Sequence, residues 1–266
     1  MKFVQRDMGA AAEASSGGGD RGLAREIGIV FVATAVLMLA LYFSIGWLVD
    51  FTLPRISPET EVAWFREFVP GDALAHLSPM QTEQVRKLQG IVDRLALGPG
   101  VPRIPFRVVM FDANEVNAFA FPGGTIAVTR GLLEKIDTDI GLSFVLGHEI
   151  GHFAQRDHLR GLGRTLGRSI FLSLIFGGGG DVFTSHTANL LDLSYSRGQE
   201  KSADEIGLRL TYALYGKTEG SDALFHWLTK NQTQSTWPAF LSTHPQNESR
   251  IADLRAYAAK LKDESR

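Results

Sequence analysis

The residues whose types and spacing can do chemistry together begin at His148. The run HEIGH, residues 148–152, lies inside the longer stretch TDIGLSFVLGHEIGHFAQRDHL. Two histidines four positions apart share one helix face, so their imidazoles can hold one metal ion between them. Glu149, one position along, reaches a water on that ion and can take its proton, passing it later to a leaving amine. Zinc suits such a site because it accepts nitrogen and oxygen ligands tetrahedrally and lowers the pKa of bound water to about 7. Three fixed positions also arise by chance, and the competing reading is a hydrogen-bonded pair of core histidines with a surface Glu149. The apolar residues before the motif (Ile140, Leu142, Phe144, Val145, Leu146) weigh against that reading. Polar histidines on a helix that buries such a face need a reason to be there.

A catalytic zinc takes three protein ligands and keeps a fourth place open. Glu200, in SRGQEKSADEIGLRL (196–210), is the candidate third ligand, and Ile206, Leu208 and Leu210 mark that segment as a second helix. Asp204 lies four residues on, on the same face, where it can accept a hydrogen bond from the back nitrogen of a ligand histidine. Taken alone, Glu200 and Asp204 read equally well as a solvated acidic face. Beside HEIGH the ligand reading prevails.

The elements that must position these residues are legible from composition and period. Residues 1–26 include GAAAEASSGGGD and read as a disordered tail. Residues 27–49 (IGIVFVATAVLMLALYFSIGWLV) carry no charge, and a helix of that length covers the roughly 30 Å of a bilayer core. A cleaved signal peptide is the alternative. The span is too long for that role, acids precede it and no small-residue cleavage site follows. Lys2, Arg6, Arg21 and Arg25 precede the span while Arg55 and Arg66 follow, so the N-terminus is expected in the cytoplasm and the catalytic part on the outer, periplasmic-like side.

Residues 50–78 read as a connector packed on a domain that occupies 79–266. That domain opens with a helix over 79–97, stopped by Gly98-Pro99-Gly100. Two β-branched runs follow, FRVVMFD (106–112) and TIAVT (125–129), and helical periodicity dominates after Asp137. The expected class is α+β, mostly helical with a small sheet, behind one transmembrane helix. A second apolar run, SIFLSLIF (169–176), precedes Gly177–Gly180 and is too short to span a bilayer, which leaves a core or an interfacial segment. The formal net charge of -2 gives no ground for a nucleic-acid partner. With no cysteine in the chain, disulfides, cysteine-zinc clusters and thiol catalysis are excluded.

Four segments together resemble one family, the HtpX-like and CAAX-prenyl-protease-like zinc metallopeptidases of the gluzincin group. They are NAFAFPGGTIAVTRGLL (117–133), LGHEIGHFAQRDH (146–158), SRGQEKSADEIG (196–207) and STHPQNESRIADL (242–254), in the family's order. The resemblance implies a gluzincin-type domain binding one zinc ion per chain through His148, His152 and Glu200, with Glu149 as general base. It implies that FPGGTIAVT contains the edge strand onto which an extended substrate adds, with Asn117, Ala118 and Phe119 close to the cleft. TIAVT reads equally as a core strand on its other face. His244 and Arg250 match a motif near the metal. His244 is expected to stabilise the oxyanion or approach the zinc, against the alternative of a helix-leading residue before Pro245. Arg250 is expected to pair with an acid or contact substrate. His158 reads as structural and His226 as core or surface.

Prenyl proteases of this family enclose their site among several membrane helices, and one clear span here matches single-anchor members instead. The expected function is therefore a membrane-anchored zinc endopeptidase acting in quality control on unfolded or membrane-associated polypeptides. A chaperone-like client-binding module with gated or minor proteolysis is the second reading. A metal-dependent hydrolase of non-peptide substrates is the third. A loop between the ligand helices, around Gly177–Gly180, is a candidate cover for the zinc.

Overall fold

The computed structural model describes residues 9–65, 77–176, 194–231, 239–245 and 248–264. The chain divides into two compact units, Met1–Leu48 and Val49–Arg266. The first is dominated by helix α1, Gly9–Thr52. Residues 9–26 were expected as part of a disordered tail, and the helix instead begins at Gly9. A helix once nucleated extends at little cost per residue, and Ala10–Glu13 are good helix formers, so the apolar span carries its polar lead-in with it. Residues 1–8 of that expected tail lie outside the described residues. Within Gly22–Arg55 the helix is long and apolar enough to cross a membrane, and its most apolar window is wholly exposed. It is a candidate membrane anchor.

The expected connector is structured where it is described. Leu53–Arg55 form a 3-10 turn, and helix α2 covers Pro58–Phe65. Leu53, Glu61 and Val62 are buried. Residues 66–76 of the connector lie outside the described residues. Helix α3, Pro79–Leu95, starts at a capping box in which Ser78 and Gln81 satisfy each other's backbone N–H groups. Leu88, Ile91, Val92 and Leu95 form its buried stripe.

The small sheet consists of β1 (Arg107–Phe111), β2 (Ala118–Phe121) and β3 (Thr125–Thr129), in the order β1-β3-β2. TIAVT is thus the central strand and not an edge. It pairs in parallel with β1, Val109 opposite Ala127, and antiparallel with β2, Phe119 opposite Ala127. All five of its residues are buried, with Ile126 and Val128 in one core cluster and Ala127 in another. The edge is β2, a short run that its Ala-Phe alternation and position before Pro122-Gly123-Gly124 did not separate from the loop. The outer edge of β1 is occupied by a side chain, because Gln89 of α3 accepts from Val108 N at 2.8 Å and donates to the Phe106 carbonyl at 3.0 Å.

After α4 (Arg130–Lys135) come α5 (Asp139–Gln155) and α6 (Asp157–Phe176). The remaining described helices are α7 (Arg197–Tyr215), α8 (Ala223–Lys230), α9 (Ala239–Thr243) and α10 (Glu248–Glu264). Helices α5 and α7 run against each other through small residues. A methyl added at Gly207 would meet His148 N at 2.8 Å, and one added at Gly151 would meet Ala203 Cα at the same distance. Around this seam the core gathers Leu88, Val92, Ile126, Phe144, Leu146, Ile150, Leu208 and Phe225. The apolar run at the end of α6 is not core, since Ile170, Leu172, Leu174 and Ile175 are exposed. The segment around Gly177–Gly180 lies outside the described residues.

Candidate metal centre

Helix α5 supplies His148, Glu149 and His152, all essentially without solvent access. Its N-cap, Thr138, accepts from Gly141 N, and thirteen consecutive residues from Gly141 to Phe153 are buried. Helix α7 supplies Glu200 and Asp204 from its own first two turns, after the capping box of Ser196 and Gln199. His244 follows α9 and Arg250 lies on α10. One ligand atom each from His148, His152, Glu200 and His244 fall within 4.8 Å of one another.

The distances fix how each side chain faces. His148 Nδ1 lies 2.9 Å from Asp204 Oδ1, and His152 Nδ1 lies 3.0 Å from Asp157 Oδ2. Both rings therefore present Nε2 to the same point, where the two Nε2 atoms approach to 3.1 Å. In its neutral form each imidazole held in this way carries a lone pair inward, the form a cation would take. Glu200 Oε1 stands 3.5 Å from His152 Nε2, and its Oε2 stands 3.7 Å from His148 Nε2. His244 Nδ1 reaches Glu200 Oε1 at 3.0 Å and His148 Nε2 at 3.2 Å. Its Nε2 points to Glu149 Oε1 at 3.6 Å. Among the described residues, neither oxygen of the buried Glu149 carboxylate has a hydrogen-bond partner. Converging nitrogen and oxygen donors with an unpartnered buried carboxylate beside them are what a divalent cation and its water would complete.

Charge is balanced from behind. Arg250 grips Asp204 with Nε at 2.7 Å and Nη2 at 2.8 Å, and places Nη1 2.6 Å from Glu200 Oε2. Arg250 thus pairs with both Asp204 and Glu200. Burial by itself would raise the Glu200 carboxyl, but His244, His152 and His148 around it hold it well below the usual carboxylate range. Asp204 is likewise held low against burial, by His148 and Arg250. Burial pushes the His148 imidazole down. For His152 burial acts the same way and is outweighed by Asp157 and Glu200, which lift it to about 9.

Three neighbours of the site escaped the sequence. Asp157 is fully buried behind His152 and is itself held by Gln199 Nε2 at 2.7 Å. No helical spacing announces it, because α5 ends at Arg156 in the left-handed region (φ 59°) and the chain turns back to bring Asp157 under His152. Tyr195 stacks on the His152 ring with centroids 3.8 Å apart. Glu61 reaches His158 Nε2 at 2.7 Å, which makes His158 part of a buried polar network. His226 is on the surface and pairs with Asp222.

Of the residues expected near the cleft, Ala118 and Phe119 are on the edge strand β2 and Asn117 precedes it. Asn117 is buried, with its carbonyl accepting Thr129 N at 3.1 Å and its N–H donated to Thr129 Oγ1 at 3.0 Å. That pairing turns the backbone groups of Ala118 and Ala120, both buried, away from β3. The Ala118 N–H is met there by Asn117 Oδ1 at 2.9 Å.

Comparison with known proteins agrees with this geometry. The Beta-barrel assembly-enhancing protease of Yersinia pestis is 30% identical over 204 residues, 69% of this chain and 40% of its own length. The mitochondrial metalloendopeptidase OMA1 of Bos taurus is 30% identical over 218 residues, covering 75% of this chain and 41% of its own. The metalloprotease LoiP of Escherichia coli is 28% identical over 191 residues, 69% of this chain and 74% of its own. The chain thus spans about two-fifths of the length of the first two. The profile of Peptidase family M48 matches residues 82–258, which hold every donor of the cluster, and this chain belongs to that family of metal-dependent peptidases.

Proposed function

We propose that this chain is a membrane-anchored zinc endopeptidase that cleaves unfolded or membrane-associated polypeptides in protein quality control. His148, His152 and Glu200 hold the zinc, one ion per chain. When bound, zinc supplies the Lewis acid that polarises the scissile carbonyl and brings the pKa of water to about 7. Glu149 takes the proton of the attacking water and delivers it to the leaving amine. Its two unpartnered oxygens are the observation that carries this reading, because a buried carboxylate kept free of hydrogen bonds is poised to accept a proton. Asp204 and Asp157 keep the histidine Nε2 atoms facing inward, and Arg250 neutralises the charge behind Glu200. His244, stacked on Phe240 at 4.4 Å, stands where it can donate to the oxyanion, a contribution of about 3–4 kcal/mol in other hydrolases.

The substrate reading rests on the sheet. Edge strand β2 turns the backbone groups of Ala118 and Ala120 away from β3, with Asn117 Oδ1 holding the Ala118 N–H that a substrate strand would take over, while Gln89 closes the other edge. An extended peptide pairing with β2 is read by its backbone, so many sequences are accepted. Breadth of that kind suits disposal of damaged chains, and a relative named for beta-barrel assembly supports action near membrane proteins. The test is proteolysis of an unfolded labelled protein by the full chain in detergent, with Glu149→Gln and a chelated sample beside it. Cleavage lost in both controls while Glu149→Gln still binds metal is the expected result. Client binding by a zinc-loaded chain that never cleaves would replace the enzyme with a holding function.

A further inference from the structure

Glu61 lies outside residues 82–258 and takes no part in the metal cluster. It is nonetheless 3% exposed on α2, and its carboxylate is fully engaged. Oε1 accepts the backbone N–H of Gly123 at 3.1 Å and meets His158 Nε2 at 2.7 Å. Oε2 lies 3.2 Å from Arg156 Nη2. A carboxylate is costly to bury, and an apolar side chain of similar size would fill the same space. What the carboxylate adds is direction, and its partners belong to two different parts of the site.

Gly123 (φ +82°) is in the turn that joins edge strand β2 to β3. A Cβ at Gly123 would come within 2.9 Å of the Phe65 backbone, so the turn is seated directly on the end of α2. Arg156 and His158 flank Asp157, whose carboxylate holds His152, and His158 Nδ1 approaches the His152 carbonyl at 3.4 Å. Arg156 also donates to the carbonyls of Leu53 and Ile56, in the segment that follows α1. One side chain therefore bridges the end of edge strand β2 and the junction that carries a candidate ligand's support.

We propose that Glu61 is a positioning residue: it sets the spacing between the edge of β2 and helix α5, so that a peptide pairing with β2 lies over the metal cluster. The inference rests on the endopeptidase reading and deepens it, since it makes the segment after α1 a part of substrate placement. Backbone pairing along β2 is what would hold an extended peptide, so a shift of that strand weakens peptide binding before it alters the reacting groups, and a brace at the strand's end has leverage on KM.

The experiment uses the metal-loaded full chain in detergent and quenched peptides of increasing length, with wild type, Glu61→Gln, Glu61→Ala and His158→Gln. Glu61→Ala is expected to raise KM for long peptides about tenfold, with kcat changed less than about threefold. Metal content stays at the wild-type value, and the defect shrinks for peptides too short to reach β2. Glu61→Gln keeps an acceptor for the Gly123 N–H and is expected to recover most of the loss. His158→Gln cuts the brace at its other end and should repeat the KM signature, which decides the matter even if Glu61→Ala does not fold. Loss of kcat and metal together at unchanged KM, or no effect in any variant, overturns the inference. Peptide affinity of the same variants in a Glu149→Gln background repeats the comparison without turnover. A wild type that binds peptide without cleaving it would then sink the endopeptidase reading alone.

Discussion

At the residue scale the centre is built from pairs: each of the two α5 histidines that face the cation point has a carboxylate behind it. Asp204 backs His148 and Asp157 backs His152, at 2.9 and 3.0 Å. The first was legible, because four residues of helix put Asp204 on the face of Glu200. The second was not, because Asp157 reaches His152 only through a left-handed residue that no periodicity signals. Such partners fix ring orientation and basicity, and their loss commonly weakens metal affinity by about 10–100-fold. Asp157→Asn should therefore lower zinc affinity by about that factor, read by competition with a chelator of known affinity. Asp204→Asn serves as the reference for a partner already anticipated. A Asp157→Asn chain that holds zinc as tightly as wild type would reduce Asp157 to a packing role.

The element scale turns on the seam between α5 and α7, which brings two histidines of one helix to a glutamate of another. Gly147 and Gly151 of α5 lie against Gly207 and Ala203 of α7, and backbone approaches backbone with no side chain between them. Gly207→Ala would put its methyl 2.8 Å from His148 N, against backbone that has no rotamer to yield. Overpacking of this kind costs about 1–3 kcal/mol. It should also part Glu200 from the histidines, so thermal unfolding and zinc content are expected to fall together. A Gly207→Ala chain destabilised without loss of zinc would show that the seam holds the fold and not the cluster. The two helices and their candidate ligands were readable from spacing and apolar stripes, and the glycines that let the helices touch were not. Single-chain spacing says which face a residue is on, but not what it meets. The same limit misplaced the sheet edge: the β-branched run TIAVT announced a strand, and only pairing on both sides showed it to be central. The four-residue strand β2 was too short for its period to stand out.

For the whole molecule, one apolar helix and one catalytic unit are joined without a long described linker. Leu53, Ile56 and Glu61 follow α1 within a few residues and are bound to the α5–α6 junction. As a membrane anchor, α1 would hold the active site to one side of the membrane, which makes the side it faces a sharp question. Lys2, Arg6, Arg21 and Arg25 before the span, against Arg55 after it, favour a cytoplasmic N-terminus. The absence of cysteine gives a clean readout, since any single introduced thiol is the only one. Leu97 is 73% exposed on the catalytic unit, so Leu97→Cys offers a thiol that leaves the core intact. In sealed vesicles of known sidedness, a membrane-impermeant maleimide should label Leu97→Cys from the outer face before lysis and from the cytoplasmic face only after it. The opposite pattern would put the peptidase in the cytoplasm and reverse the orientation. Equal labelling from both faces, with release of the chain by alkaline wash, would mean that α1 does not span at all, and substrates would then be reached from solution.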